Sequence, residues 1–182
     1  MVSILIDENL MLRTFQPDDA PALFRAVDES RQHLRKWMRW VDVTTKQEHI
    51  LQFIQRTVQQ QHNQTALELG IVHNHHLIGG IGMHDWDHNL KKAQLGYWIR
   101  KEYEGQGIIN KCLVRFIDFL FEKPGLNKIE IHFMTGNKRS AAVAQRLGFR
   151  VEGIIRQSYL MNGKLEDLAI TGLLKSEWKQ GN

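Results

Sequence analysis

The chain has 182 residues, of which 42% are hydrophobic and 24% are charged, and its formal net charge is +4 at pH 7. A chain of this length and composition can bury one substantial core, so we predict a single domain over residues 1–182. No apolar run approaches membrane-spanning length and no signal peptide opens the chain, so we expect a soluble, cytoplasmic protein without a membrane partner.

Composition also argues against two other classes of protein. The one cysteine, Cys112, excludes an internal disulfide framework, and its place in an apolar helical stripe predicts core packing and not a nucleophile. The lysines and arginines are scattered along the chain, so nucleic-acid binding is not expected to be the main function. The mild positive charge suits a polyphosphate ligand equally well.

Short elements are predicted for the first part of the chain. The segments from Ile4 to Ile6 and from Leu10 to Phe15 are typical of strands, and Pro17 followed by two acids is typical of a helix start. Apolar spacing then predicts two short helices, one from Ala22 to Val27 and one through Leu34, Trp37 and Met38.

Two tryptophans in this part are open to more than one interpretation. Trp37 and Trp40 are expected to pack in the core, and the alternative is that they wall a substrate cleft. If they form an exposed aromatic surface, a homodimer would be unsurprising.

A helix and a hairpin are predicted next. Thr45 and Glu48 match a capping box, which opens a helix that continues to Val58. Alternating residues from Leu67 to Ile71 predict a strand that pairs with a second strand ending at Met83. Glycines in the second strand predict a bulge or a close approach by another backbone: Gly79, Gly80 and Gly82.

Histidines and aspartates cluster around the turns of this region, at His73, His75, His76, His84, Asp85, Asp87 and His88. They lack the helical i, i+4 ligand pair of an H-E-x-x-H site. We therefore interpret them as solvated turn residues and expect no metal.

A strand, a glycine loop and a helix form the centre of the sequence. Gln94 to Arg100 is apolar and aromatic, and Ile109 to Leu120 carries the apolar stripe of an amphipathic helix. Between them, Gly105 and Gly107 allow a sharp turn with uncovered N–H groups next to a helix start, which predicts a phosphate cradle. Asn110 replaces the third glycine of a dinucleotide fold, and the Gly-Lys-Ser/Thr ending of a P-loop is absent. A tight turn without a ligand is the remaining alternative.

The last third predicts a strand, a helix and a hairpin. Ile129, Ile131 and Phe133 alternate as a strand, Asn137 caps a helix, and Gly148 ends it. Two further strands meet at Asn162-Gly163, a two-residue hairpin turn. The predicted fold class is α+β: a three-layer α/β/α sandwich around a mixed, mainly antiparallel sheet.

Several motifs resemble one enzyme family. Tyr103-Glu-Gly-Gln-Gly107 resembles the acetyl-CoA loop of the Gcn5-related N-acetyltransferases (GNAT), and Asn137-Lys-Arg-Ser140 leading to Leu147-Gly-Phe149 resembles their second motif. With Leu10-x-Leu-Arg-x-Phe15 and Gly96-Tyr-Trp98, the chain is most similar to the bacterial ribosomal-protein N-terminal acetyltransferases of the RimJ/RimL type. The resemblance implies the acyl-CoA N-acyltransferase fold, acetyl-CoA as co-substrate and a primary amine as acceptor.

The resemblance also implies which residues form the site. The pantetheine arm is expected to pair with the backbone of Trp98, Ile99 and Arg100, by strand addition. Ser140 is expected near the sulfur, where it would assist the departing thiolate; as a first-turn helix serine it also has an ordinary interpretation. The acidic Glu104 is expected to point away from the phosphates. The other cofactor contacts are expected at Gly105, Gln106, Gly107, Ile108, Ile109, Asn110 and Asn137.

The general base is not evident from the sequence. Gln94 stands where the family often has a glutamate, and an amide cannot accept a proton at physiological pH. Tyr159, which we include among the catalytic residues, is one candidate, although cross-strand packing is its alternative; Asp85, His84 and His132 are the others.

The missing base favours an acceptor that is already partly neutral. An α-amine with a pKa near 8 is about 10% neutral at pH 7, whereas a lysine side chain is about 0.04% neutral. We therefore predict direct attack by the N-terminal α-amine of a ribosomal protein in a ternary complex. The alternatives are a polyamine or aminoglycoside N-acetyltransferase, and a non-catalytic module that binds acyl-CoA or RNA.

Overall fold

The computed structural model describes residues 1–178, which form eight strands and six α-helices. The strands are β1 (Ser3–Asp7), β2 (Leu10–Thr14), β3 (Leu67–His73), β4 (His76–Asp87), β5 (Lys92–Ile99), β6 (Lys128–Met134), β7 (Arg150–Met161) and β8 (Lys164–Leu174). The helices are α1 (Ala20–Glu29), α2 (Arg31–Leu34), α3 (Trp40–Val43), α4 (Gln47–His62), α5 (Ile108–Glu122) and α6 (Lys138–Arg146). Short 3-10 turns occupy Pro17–Asp19, Lys101–Tyr103 and Lys175–Glu177.

One mixed sheet runs through the molecule in the order β1-β2-β3-β4-β5-β6-β8-β7. Every neighbouring pair is antiparallel except β5 and β6, which are parallel because α5 crosses over between them. A core cluster on one face joins the sheet to α5 and α6, and a second cluster on the other face joins it to α1 and α4. The predicted three-layer α/β/α sandwich is confirmed.

The central helix α5 holds its face of the sheet by burial of apolar side chains. Its stripe of Cys112, Leu113, Phe116, Ile117 and Leu120 is 0% exposed. Each large side chain buried in this way stabilises the fold by roughly 1.5–3 kcal/mol. Cys112 is therefore a core residue, as predicted, and burial raises the pKa of its thiol to about 12.

The two central strands, β5 and β6, are paired along only half of their length. β5 pairs with β6 only between Lys92 and Leu95, which face Lys128 and Ile131. Beyond Leu95 the strands diverge, and their facing backbone groups open onto a gap in the sheet. The divergence leaves room for a cavity at the end of β5.

Several local predictions are confirmed because they depend on short-range chemistry. Asn162 and Gly163 both have positive φ, of 48° and 77°, as a two-residue hairpin turn of this kind requires. Gly148 ends α6 with a φ of 82°. The side chain of Asn137 caps α6 by accepting a hydrogen bond from the Ser140 N–H at 3.2 Å.

Two predictions in the helical face are wrong. Thr45 does not cap α4: the helix begins after Lys46, and the Thr45 N–H donates instead to the His49 ring at 3.3 Å. Trp40 is not a core residue, because 38% of it is exposed and its ring meets that of Trp98 edge to face at 5.8 Å. Trp37 lies half-buried in the turn after α2.

No helix in residues 1–178 is long and apolar enough to cross a membrane.

Candidate active site

A cavity of about 710 Å³ lies where β5 and β6 diverge, and we call it the glycine-loop cavity. The loop after β5 and the first turns of α5 and α6 supply one part of its wall, and the turn after α2 supplies another. The predicted site residues that line it are Trp98, Ile99, Gly105, Gly107, Ile108, Ile109, Asn110, Asn137 and Ser140.

The loop at the start of α5 is shaped by two glycines. Gly105 and Gly107 have φ values of 74° and 76°, a left-handed conformation that residues with a side chain rarely adopt. Within residues 1–178, no protein acceptor takes the N–H groups of residues 105–110. Uncapped donors at the positive end of a helix form an anion-binding site. The buried Asn110 Oδ1 also lacks a protein partner in the described chain.

Basic side chains surround this cavity and offset Glu104, the one carboxylate among the described residues of its wall. Lys101, Lys138 and Arg139 line the wall. Glu104 also lines it, contrary to our expectation that this side chain points away, but its carboxylate forms ion pairs with His33 at 2.7 Å, Lys101 at 3.2 Å, and Arg139. Burial acts to raise the pKa of Glu104, yet the hydrogen bonds from Lys101 and Arg139 hold it below its usual value.

The backbone at the end of β5 offers fewer free groups than predicted. The Arg100 N–H donates to the Ile78 carbonyl at 2.8 Å, and the Arg100 carbonyl accepts from the Tyr103 N–H at 3.1 Å. Antiparallel pairing alternates along a strand, so Trp98, which pairs with Gly80, also directs its backbone groups toward β4. Ile99 is the predicted residue whose backbone groups face the gap.

Two of the predicted cofactor side chains are also engaged elsewhere. The Arg100 guanidinium pairs with Glu29 at 2.6 Å and with Glu102 at 2.5 Å. The Gln106 side chain donates to the Glu102 carbonyl at 2.8 Å. Neither residue is among those that line the glycine-loop cavity, and cofactor contacts by Arg100 and Gln106 stay predictions.

Ser140 lies in the first turn of α6, and its hydroxyl accepts a hydrogen bond from the Tyr97 hydroxyl at 3.3 Å. Burial raises the pKa of Tyr97, so the phenol keeps its proton at neutral pH and can donate it. Tyr97 was not among the residues predicted from the sequence. Its position next to Trp98 on β5 was the available signal, because β5 was already expected to contact the cofactor.

Tyr159, the other predicted catalytic residue, lies elsewhere. It lines neither cavity described here, and its ring lies under the Arg39 guanidinium at 5.9 Å. A break in the register between β7 and β8 lies between Ile155 and Tyr159, and Tyr159 itself pairs with Glu166 on β8. The structure therefore does not bring Tyr159 together with Ser140.

A second cavity, of about 550 Å³, opens on the opposite side of Trp98, and we call it the aromatic cleft. It shares Met38, Tyr97 and Trp98 with the glycine-loop cavity, so the two meet at the end of β5. Most of its wall is apolar or aromatic: Phe15, Leu23, Val27, Trp40, Val43, Ile50 and Phe53. Trp40 therefore lines this cleft and Trp37 lines the other cavity, and their role in substrate binding stays a prediction.

Besides Tyr97, the described residues that line the aromatic cleft include four titratable side chains: His49, Arg56, Glu68 and His84. Burial raises the pKa of Glu68 to about 7, and the positive charge of Arg56 opposes that shift. Burial also lowers the pKa of His84, so this ring is mostly neutral at pH 7. His84 is the one predicted base candidate in the cleft. His132 instead bonds to Glu130 at 3.1 Å, and Asp85 is exposed.

Glu68 was not predicted as a site residue. The alternation of apolar and polar residues in β3 indicated that its side chain lies on a polar face of the strand. That side is covered by α1 and α4, which makes the carboxylate an interior group. The turn histidines do not assemble either: in residues 1–178, no three histidine, cysteine or acidic side chains are arranged to hold a metal ion.

Comparison with known proteins agrees with this geometry. Residues 9–150 match the acetyltransferase (GNAT) domain family. The chain is 33% identical over 180 residues to YdaF of Bacillus subtilis (strain 168), named a putative ribosomal N-acetyltransferase, with 98% of both chains covered. It is 25% identical to the ribosomal-protein-serine acetyltransferase of Escherichia coli (strain K12), covering 91% of this chain and 93% of that one. The solved structure of RimL, a ribosomal L7/L12 α-N-protein acetyltransferase in complex with coenzyme A, superposes with a TM-score of 0.93 at 23% identity, covering 97% of this chain and 99% of RimL.

Proposed function

We propose that this chain, which belongs to the acetyltransferase (GNAT) domain family and is an acetyl-CoA-dependent N-acetyltransferase, modifies the N-terminal α-amine of a protein in the cytoplasm. A ribosomal protein is the acceptor that the names of its relatives favour. The observation that carries the proposal is the meeting of the two cavities at Met38, Tyr97 and Trp98. An acetyl group held there would face an amine that enters through the aromatic cleft.

The glycine-loop cavity suits acetyl-CoA in charge and shape. The free N–H groups of residues 105–110 and the positive end of α5 would hold the diphosphate, and Lys101, Lys138 and Arg139 would add positive charge around it. The pantetheine arm would lie along the open edge of β5, where the Ile99 backbone faces the gap. The Ile99 N–H could then stabilise the thioester oxygen as it becomes an oxyanion.

The thiolate would leave toward Ser140. The amine attacks the carbonyl carbon, the tetrahedral adduct collapses, and the electron pair of the C–S bond departs on sulfur. Ser140 can donate its proton to that sulfur and recover one from the Tyr97 hydroxyl, which already donates to it at 3.3 Å. No covalent intermediate with the protein is needed, because the thioester is already activated.

The charge of the aromatic cleft favours a peptide over a polycation. Among the described residues that line it, Glu68 is the one carboxylate, and Arg56 and two histidines lie in the same wall. A polyamine or aminoglycoside carries several positive charges and would be expected to require several acids. A peptide N-terminus has one ammonium followed by an extended chain, which matches one acid in an otherwise apolar cleft.

Acetylation of two related peptides tests the proposal. One peptide has a free N-terminus and an internal lysine, and its matched control has the same sequence with a blocked N-terminus; spermidine is the third acceptor. We expect thiol release from acetyl-CoA with the first peptide, and mass spectrometry should place the acetyl group on its α-amine. Efficient modification of the blocked peptide, or of spermidine in preference to both, would overturn the N-terminal assignment.

The homodimer inferred from Trp37 and Trp40 stays a prediction. Both rings line the cavities instead of a separate exposed surface, which removes the observation on which it rested. Light scattering of the purified protein tests it.

A further inference from the structure

Glu68 lies in a row of residues that crosses three strands toward the meeting point of the two cavities. It pairs with Gly82 on β4, and Gly82 pairs with Gly96 on β5, the residue before Tyr97. A Cβ atom added to Gly82 would lie 2.0 Å from the Glu68 Oε2. The carboxylate therefore occupies the space that a side chain at position 82 would fill, and the row of glycines leaves its path toward β5 open.

The carboxylate is mostly buried, and nothing in the described chain neutralises it by direct contact. No hydrogen bond or ion pair within residues 1–178 ends on its oxygens, and Arg56 acts on it only at longer range. His49 and Arg56 face the cleft from α4, and His84 faces it from β4. On the β2 side, Arg13 is already paired with Asp19 at 2.6 Å. The charge of a buried carboxylate without a partner is costly, and either a proton or a positively charged ligand relieves that cost.

The distance to the reaction centre is suitable for a small amine. Neighbouring strands are about 4.8 Å apart, so the edge of β5 that faces the gap lies roughly two strand spacings from a carboxylate over β4. An ammonium nitrogen and one water molecule fit in that interval. Gln94 stands where the family often has its base. It lies two residues before Gly96 on β5, on the same face of the sheet and opposite His84.

We propose that Glu68 is a catalytic residue that binds the ammonium group of the acceptor and accepts its proton. This inference rests on the proposed function and assigns the general base that the sequence analysis could not find. Acetyl transfer removes two protons from an ammonium group. The first passes to Glu68 and then to solvent, and the nitrogen lone pair it frees forms the C–N bond. The second leaves the nitrogen as the adduct collapses, and it balances the proton that Ser140 gives to the departing sulfur.

The basicity of Glu68 also selects among amines. With a pKa of about 7, it takes a proton from an α-amine of pKa near 8 with an equilibrium that is unfavourable by about tenfold. For a lysine side chain with a pKa near 10.4, the same transfer is unfavourable by about 2,500-fold. The predicted preference for α-amines is therefore retained. Its cause is now the limited strength of Glu68 as a base, and not the absence of a base.

Substitution by the isosteric amide tests the assignment. In Glu68→Gln we expect kcat/KM for the acceptor to fall by about 100-fold or more, because general base catalysis typically contributes that much, while acetyl-CoA affinity stays unchanged. Glu68→Asp keeps the carboxylate but retracts it, so it should recover part of the rate. Glu48→Gln, an exposed acid at the start of α4, is the matched control and should behave as wild type.

The pH dependence separates a base from a residue that only shapes the cleft. In the wild type, kcat/KM should rise with pH through an ionisation near 7, and this step should be lost in Glu68→Gln, whose rate should follow only the ionisation of the amine. An unchanged pH profile or a rate within threefold of wild type would overturn the proposal. If Glu68→Gln does not fold, the wild-type profile alone decides, since the absence of an enzyme ionisation between pH 6 and 8 also overturns it. If the wild type does not acetylate the peptide, the proposed function fails and the role of Glu68 is tested separately. The wild type and Glu68→Gln are then compared with spermidine, if that is the amine that the wild type acetylates.

Discussion

Replacement of Gly107 by valine should separate cofactor binding from folding. Gly107 has a φ of 76° and immediately precedes α5, and within residues 1–178 its N–H and those of residues 108–110 have no protein acceptor. A left-handed conformation costs a residue with a side chain about 1–2 kcal/mol, and a native domain is typically stable by about 5–15 kcal/mol. Gly107→Val should therefore remain folded.

The effect on coenzyme A should be larger than the effect on stability. An added Cβ at Gly107 would meet no protein atom within 4 Å, so the side chain would occupy the cavity itself. Loss of one or two charged hydrogen bonds, each worth about 1.5–3 kcal/mol, corresponds to weakening of the affinity by about ten-fold to about 20,000-fold. Calorimetric titration with coenzyme A measures that change directly.

Gly125 supplies the matched control for this experiment. Its φ is 68°, a Cβ there would also meet nothing within 4 Å, and it lies beyond the far end of α5 and outside the cavity. Gly125→Val should show a similar loss of thermal stability with wild-type affinity for coenzyme A. Unchanged affinity in a folded Gly107→Val, or equal losses of affinity in both variants, would refute the placement of the phosphate cradle.

Two further substitutions address the meeting point of the cavities. Ser140→Ala should lower kcat by about 10- to 1000-fold without weakening acetyl-CoA binding. The loss should be partial because the thiol of coenzyme A is a tolerable leaving group even without a proton donor. An unchanged kcat at saturation, with chemistry shown to limit turnover, would contradict this role. Trp40→Ala should raise KM for the acceptor peptide while the affinity for coenzyme A stays constant, because Trp40 lines the aromatic cleft and not the glycine-loop cavity. Trp40→Phe keeps an aromatic wall, so its KM should lie between those of the wild type and Trp40→Ala. A selective loss of coenzyme A affinity would show that the cleft is misassigned.

Local chemistry explains which parts of the fold could be predicted from the sequence. Asn137, Gly148 and the Asn162-Gly163 turn each act within a few residues of their own position, so their roles were visible without knowledge of the tertiary structure. The Thr45 capping box failed in spite of matching its pattern, because the extended backbone at Lys46, with a φ of −152°, starts the helix one residue later. A motif of four letters does not determine where the chain turns.

The missed residues of the site depend on contacts between distant segments. Tyr97 meets Ser140 across 43 positions of sequence, and the partnership becomes apparent only once β5 and α6 are placed side by side. Glu68 belongs to a regular alternating strand, and its burial is decided by α1 and α4 packing over that face. A role for Tyr159 stays a prediction: it pairs with Glu166 on β8 and lines neither of the two cavities.

If the pantetheine arm binds where β5 separates from β6, the co-substrate would be a structural element of the enzyme. The protein folds with backbone groups of its central sheet left open, and a pantetheine arm that fills the gap would complete the hydrogen bonding that the polypeptide leaves unfinished. A ligand at about 100 times its dissociation constant adds about 2.7 kcal/mol to the free energy of unfolding. The free energy of unfolding would thus rise and fall with the concentration of acetyl-CoA. The enzyme would be easier to unfold, and to degrade, in a cell with little acetyl-CoA than in a cell with abundant acetyl-CoA.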